Sequence, residues 1–282
     1  MTHLVSTEWL AAHLGDDNLV ILDASAHLPD AGRDAEAEFL AAHIPGARHL
    51  ALATFIDPDS PVPAAIPDAA QFAQRMAALG VTDADRVVVY DDSAVKTSAR
   101  AWFILRLHGL QQVAILDGGL GKWRAEGHPL ESGPATVGRA GGVTPGTGPG
   151  TVRSKAEMLA NVASRAEQVV DARGAARFTG EHQDFRPGVA DGHIPGSCNM
   201  PFGQVLNADG TFKDEAGLRA AFAAAGIDLA RPVATTCGGG VTAAVLLFAM
   251  ELLGKRDVAL YDGSWSEWGS DPGTPKELGP VA

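Results

Sequence analysis

Short, wholly apolar runs punctuate the chain: RVVVYD at 86–91, VAILD at 113–117, QVVDA at 168–172, VATT at 233–236 and VALYD at 258–262. They lack the alternation of a half-exposed strand, so each predicts a strand buried on both faces, as in a parallel sheet. Between them, DAAQFAQRMAALG (68–80) and EAGLRAAFAAAG (215–226) carry apolar residues at helical spacing and close on glycine, a common helix stop. Strands alternating with helices predict an α/β fold with a mainly parallel sheet flanked by helices. Ligands of such sheets bind beyond the carboxyl ends of the strands, often against a helix N-terminus.

The same phrases occur twice, in one order. LVILDAS (19–25) is answered by QVVDAR (168–173), HIPGARHL (43–50) by HIPGSCNM (193–200), DRVVVYDDS (85–93) by RPVATTCGG (231–239), and VAILDGGLGKW (113–123) by VALYDGSWSEW (258–268). The offset is 148 from Asp23 to Asp171, 150 from His43 to His193 and 145 from Asp117 to Asp262. A nearly constant offset implies two copies of one domain. The expected division is a first domain at 1–133, a Gly/Pro-rich linker at 134–152 and a second domain at 153–282.

Composition narrows the partners. A formal charge of −12 argues against nucleic acid and against an anionic membrane surface. No run approaches the roughly 18 apolar residues of a membrane-spanning helix. The start, MTHLVSTEWLAAHLGDD, lacks a basic n-region and reads as helix rather than as a signal peptide. The two cysteines, Cys198 and Cys237, form no disulfide framework, so a cytoplasmic setting is expected.

The chemistry concentrates at TTCGGGVTAAVLL, where Cys237 ends an apolar strand and three glycines lead into a helix. Glycines let successive N–H groups converge on one point, and the helix end adds positive potential. Such a cradle favours an anion, here the thiolate of Cys237 or a persulfide sulfur carried on it. The competing reading is a buried cysteine beside glycines needed only for tight packing. The first copy weighs against it, because Asp91 stands near the nucleophile position there and the glycine run is absent.

CGGGVTA closely resembles the active-site loop of the two-domain sulfurtransferases, the rhodanese superfamily. Within it the chain is most similar to the branch using 3-mercaptopyruvate, whose usual loop is Cys-Gly-Ser-Gly-Val-Thr. Both HIPG segments, ILDGGLGKW, DARGAARF and LYDGSWSEW belong to the resemblance, which spans nearly the whole chain. It implies two tandem rhodanese-like domains, the first non-catalytic. It also implies Cys237 as nucleophile, with Gly238, Gly239, Gly240, Val241 and Thr242 as the cradle. Arg177 and Arg186 align with arginines that bind the donor's carboxylate and carbonyl, and guanidinium suits a carboxylate in two-pronged fashion. Arg100 matches a further family arginine, with two readings open, donor binding in the cleft or a salt bridge across the domain interface, and His43 matches a histidine discussed as a proton relay. Arg173, at a strand end, is expected to have a structural partner.

The implied reaction moves the sulfur of 3-mercaptopyruvate through a Cys237 persulfide to a small thiol, thioredoxin or cyanide, releasing pyruvate, with no metal or cofactor required. The resemblance also implies a monomer. Gly239 replaces the usual loop serine, and Lys96 adds a cation, so thiosulfate remains open as donor. A non-catalytic persulfide carrier is the rival of another class. Cys198 reads as an inert core thiol, and Trp265 and Trp268 as interdomain packing.

Overall fold

The computed structural model describes residues 1–280. It divides into two compact units: unit 1 contains 1–58, 66–150 and 208–211, and unit 2 contains 59–65, 151–207 and 212 onward.

Unit 1 runs β1 (Leu4–Val5), α1 (Thr7–His13), β2 (Leu19–Asp23), α2 (Ala35–Ala41), β3 (Arg48–His49), α3 (Ala69–Ala78), β4 (Arg86–Tyr90), α4 (Ser98–Leu107), β5 (Val113–Leu116) and α5 (Gly119–Ala125). Unit 2 repeats the order as β6 (Val152–Arg153), α6 (Lys155–Ser164), β7 (Gln168–Asp171), α7 (Ala175–Thr179), β8 (Cys198–Asn199), α8 (Glu215–Ala224), β9 (Val233–Thr236), α9 (Val241–Leu252), β10 (Val258–Tyr261) and α10 (Ser264–Trp268). The five-stranded sheets have orders β1-β5-β4-β2-β3 and β6-β10-β9-β7-β8, which are the same arrangement renumbered. Every pairing between these strands is parallel.

The five apolar runs become β4, β5, β7, β9 and β10, and the two periodic segments become α3 and α8, with Gly80 and Gly226 left-handed just beyond them. The edge strands β1, β3, β6 and β8 have two residues each, too few to leave a periodic signal. Helix α9 is buried along Ala243–Met250, which is why it is apolar on every side. Trp265 and Trp268 pack with Met158, Val169, Ile194, Ala234 and Tyr261 in the core of their own unit, not between domains as expected. The reason is register: α10 begins directly after β10, which turns both indoles back onto the sheet, where their N–H groups donate to Ala190 and Pro275 carbonyls.

The Gly/Pro-rich segment is anchored to unit 1. The N–H groups of Gly142, Gly146 and Gly148 donate to the carbonyls of Val81, His108 and Leu107, and Arg139 pairs with buried Asp85. Among the described residues, no helix is long and apolar enough to cross a membrane.

One difference between the copies lies beneath the carboxyl ends of the strands. Asp171 on β7 is held by Arg173 through Nε and Nη2 at 2.6–3.0 Å, and Arg173 also donates to Gly192 and lies over the Trp265 ring. Asp23, its counterpart on β2, has Ser25 where Arg173 stands, and burial raises its carboxyl above the ordinary range. Arg173→Ala would strand a buried carboxylate and is expected to cost about 3–5 kcal/mol in urea unfolding. Asp23→Asn should instead stabilise at neutral pH. A raised carboxyl favours the fold below the unfolded value near 3.9 and loses that contribution as pH rises through the folded value. Unfolding midpoints at pH 5 and pH 8 check both, and an Arg173→Ala midpoint equal to the parent's would contradict the account.

Candidate active site

Strand β9 ends at Thr236, so Cys237 emerges at the carboxyl edge of the unit 2 sheet, level with the ends of β7 and β10. Gly238 and Gly239 follow, and Gly240 caps α9 with φ +77°, a conformation that a side chain would strain. Three residues of α10 hold this turn. The Ser264 hydroxyl accepts from Cys237 N–H at 3.2 Å and Gly240 N–H at 3.1 Å, and donates to the Tyr261 carbonyl at 2.8 Å. Trp265 N–H donates to Cys237 C=O at 2.9 Å, and Ser266 N–H to Gly238 C=O at 2.9 Å. Ser264 is buried and left-handed, φ +49°, an uncommon state for a residue with a side chain.

Cys237 is only 2% exposed, deeper than a cysteine presented at an open mouth. Its strand-end position and the bonds to Ser264 and Trp265 draw the residue down against α10. Among the described residues, the N–H groups of Gly238, Gly239, Val241 and Thr242 have no protein acceptor. They include the donors that the first turn of any helix leaves unused.

Both expected arginines reach this loop. Arg177 stands in the last turn of α7 and Arg186 in the loop that follows. A side-chain carbon placed on Gly238 would lie 3.6 Å from Arg177 Nη2 and 3.7 Å from Arg186 Nη1, and Arg186 Nη1 donates to Gly238 C=O at 2.6 Å. Asp184 aims the pair. Its carboxylate accepts from Arg177 Nη2 at 2.9 Å and from Arg186 Nε and Nη2 at 2.7 and 2.6 Å. Phe185 lies against both guanidiniums, at 5.1 and 5.4 Å from its ring centre.

Asp184, Ser264 and Ser266 were not singled out from the sequence. A signal existed for Ser264: the repeat aligns it with Gly119, which is also left-handed at φ +60°. A serine in a glycine's conformation marks a position held for its side chain.

Unit 1 carries a closed version of the same edge. Asp91 follows β4 as Cys237 follows β9, and Leu120 N–H donates to Asp91 C=O as Trp265 does to Cys237. The Asp91 carboxylate accepts from the N–H groups of Ser93 and Ser98 at 2.9 and 2.8 Å, so the loop's amides are taken up internally. Arg33 donates to Asp92 C=O at 2.9 Å, mirroring Arg186 on Gly238, and Asp92 also holds Arg33 and Arg124 at 3.1 and 3.2 Å.

His43 and His193 are equivalent. Nδ1 lies 2.8 and 2.9 Å from the carbonyls of Phe39 and Phe178, and Nε2 lies 3.9 and 3.7 Å from Glu131 and Glu277. The same contacts in both units support a part in holding the turn. Arg100 is buried in the first turn of α4, in unit 1. Cys198 is half-buried on β8, and burial raises its thiol. Two strand spacings separate β8 from β9, about 10 Å, which is beyond disulfide reach of Cys237. A cleft of about 590 Å³ in unit 2 lies at the opposite end of the sheet, beside Glu167 and Asp257.

The model of the rhodanese-like domain matches residues 6–126 and 154–271.

The chain belongs to the rhodanese family.

Over 271 residues it is 39% identical to the mouse 3-mercaptopyruvate sulfurtransferase, covering 94% of this chain and 91% of that protein. It is 40% identical over 273 residues to the chicken thiosulfate sulfurtransferase, covering 94% and 92%. The crystal structure of the Escherichia coli 3-mercaptopyruvate sulfotransferase SseA superposes with a TM-score of 0.85 at 36% identity, covering 95% of this chain and all of that one. Family membership thus accounts for the duplicated fold, and the site geometry must decide the donor.

The Asp184 carboxyl lies well below the ordinary range: burial alone would raise it, and the bonds from Arg186 and Arg177 overcome that. A depressed carboxylate lends stability above its unfolded value near 3.9 and loses it as pH falls through the folded value. Asp184→Asn should therefore cost on the order of 2 kcal/mol at pH 7. The gap should narrow below about pH 4. A gap constant between these conditions, measured by urea unfolding, would contradict the pairing.

Proposed function

We propose that this chain is a 3-mercaptopyruvate sulfurtransferase working through a persulfide on Cys237. The observation carrying this reading is the pair Arg177 and Arg186, fixed by Asp184 within about 4 Å of a loop without any side-chain cation of its own. Two guanidiniums beside bare glycines suit a small donor with a carboxylate and a carbonyl.

In the first half-reaction the Cys237 thiolate attacks the donor sulfur. An S–S bond forms, the C–S bond breaks, and its electron pair leaves as the pyruvate enolate, which takes up a proton to become pyruvate. The donor's own thiol, a water or the Thr242 hydroxyl supplies that proton, since Gly239 offers no hydroxyl. The persulfide is held by the N–H groups of Gly238, Gly239, Val241 and Thr242, aided by the N-terminus of α9. In the second half an acceptor thiol, reduced thioredoxin or cyanide attacks the outer sulfur, and Cys237 leaves as thiolate. Such a double displacement predicts ping-pong kinetics.

The domain at 1–133 is non-catalytic in this reading, because Asp91 fills its own loop. Arg100 is assigned to the donor by family resemblance alone. His43 is not needed as a relay. The enzyme is read as a cytoplasmic monomer.

The test compares kcat/KM for 3-mercaptopyruvate and thiosulfate in the parent, Cys237→Ser and Arg186→Ala. Mercaptopyruvate should be preferred, Cys237→Ser should be inactive and gain no sulfur by intact mass, and Arg186→Ala should lose about 100-fold on mercaptopyruvate. A preference for thiosulfate would reject the donor. Stoichiometric sulfur loading without turnover would reject the enzyme in favour of a carrier.

A further inference from the structure

Three donors converge on one carbonyl at the loop. Gly238 C=O accepts from Ser266 N–H at 2.9 Å, from the Ser266 hydroxyl at 2.6 Å and from Arg186 Nη1 at 2.6 Å. Arg186 Nη1 also donates to the Ser266 oxygen. Ser266 is buried, and its oxygen lies 3.6 Å from where a side-chain carbon on Gly239 would stand.

The peptide joining Gly238 and Gly239 has glycine on both sides, so little in its own stereochemistry opposes rotation as a unit. Because a trans peptide is planar, its C=O and N–H point in opposite directions. Fixing Gly238 C=O toward α10 therefore fixes Gly239 N–H away from α10. The same hydroxyl restrains the guanidinium of Arg186.

We propose that Ser266 is a positioning residue that locks the Gly238–Gly239 peptide and Arg186 in one arrangement, coupling the donor-binding cation to the amide cradle. The proposal rests on the reading of the site as a persulfide-forming centre.

The first copy serves as an internal comparison. Position 121 corresponds to Ser266 and is glycine, and the neighbouring space receives the Asp92 side chain, 4.0 Å from a carbon built on Gly121. Where the nucleophile is replaced by Asp91, the hydroxyl is missing too. Its counterpart Arg33 is instead held by the Glu38 and Asp92 carboxylates. Hydroxyl and cysteine occur together in one unit and are absent together from the other.

The experiment compares Ser266→Ala and Ser266→Thr with the parent. Ser266→Ala removes only the hydroxyl and keeps the backbone N–H. It should raise KM for mercaptopyruvate about tenfold with a smaller change in kcat, the size expected for a hydrogen bond to a charged group. It should also shorten the lifetime of the Cys237 persulfide severalfold, followed by intact mass after desalting, while the thermal midpoint hardly moves. Ser266→Thr, which retains a hydroxyl, should restore both. Unchanged KM and persulfide lifetime in Ser266→Ala would overturn the proposal. So would a fall in kcat alone, or a loss that follows the thermal midpoint in both variants. Loading with inorganic polysulfide instead of mercaptopyruvate lets the lifetime be compared even if the donor assignment fails, so the two failures are distinguishable.

Discussion

The loop that carries Cys237 is anchored first of all by the Ser264 hydroxyl, with Trp265 and Ser266 beside it. Ser264 accepts from two N–H groups of the turn and donates its O–H to Tyr261 C=O, which ties the end of β9 to the end of β10 through α10. To reach that position the residue adopts φ +49°, where a side chain is disfavoured by about 1–3 kcal/mol. The strain is tolerated because the neighbouring Trp265 and Trp268 are buried in the core of unit 2 and fix the helix start. Removing two amides from the loop by internal bonding also determines which remain for an anion: those of Gly238, Gly239, Val241 and Thr242.

A second constraint is electrostatic. Arg177 and Arg186 bring two like charges to one carboxylate. Asp184, whose side chain is 3% exposed, lies between them and turns the pair into a directed fork. The carboxylate occupies one side of each guanidinium and leaves the Gly238 side supplied with positive charge. The loop therefore needs no cation of its own.

Much of this was legible from the sequence. The buried strands were visible because parallel strands covered on both faces are continuous apolar runs, and the duplication was visible because its four phrases recur in order. The partner expected for Arg173 is Asp171, two residues earlier. Other features arise only when distant segments close on one another. Ser266 is 28 residues from Gly238, and nothing in either local sequence indicates that one hydroxyl and one guanidinium share a carbonyl. The depth of Cys237 was hidden for the same reason: strand-end residues are often exposed, and here α10 covers the position. The tryptophans misled because large aromatics in a glycine-rich signature suit an interface as readily as a core.

The two copies diverge at one strand end, in the residue that follows the strand and in the loop that leads into the helix. With aspartate after the strand, the turn is self-sealing: its carboxylate satisfies the amides that would otherwise wait for an outside charge, and the module becomes a brace. With cysteine there, the amides stay open and the module becomes a receptor. Gene duplication followed by such a change lets one half drift toward robustness while the other keeps an unsatisfied, reactive edge. In that sense Asp91 is a permanent, covalently tethered ligand, and its presence marks a division of labour written into a single polypeptide.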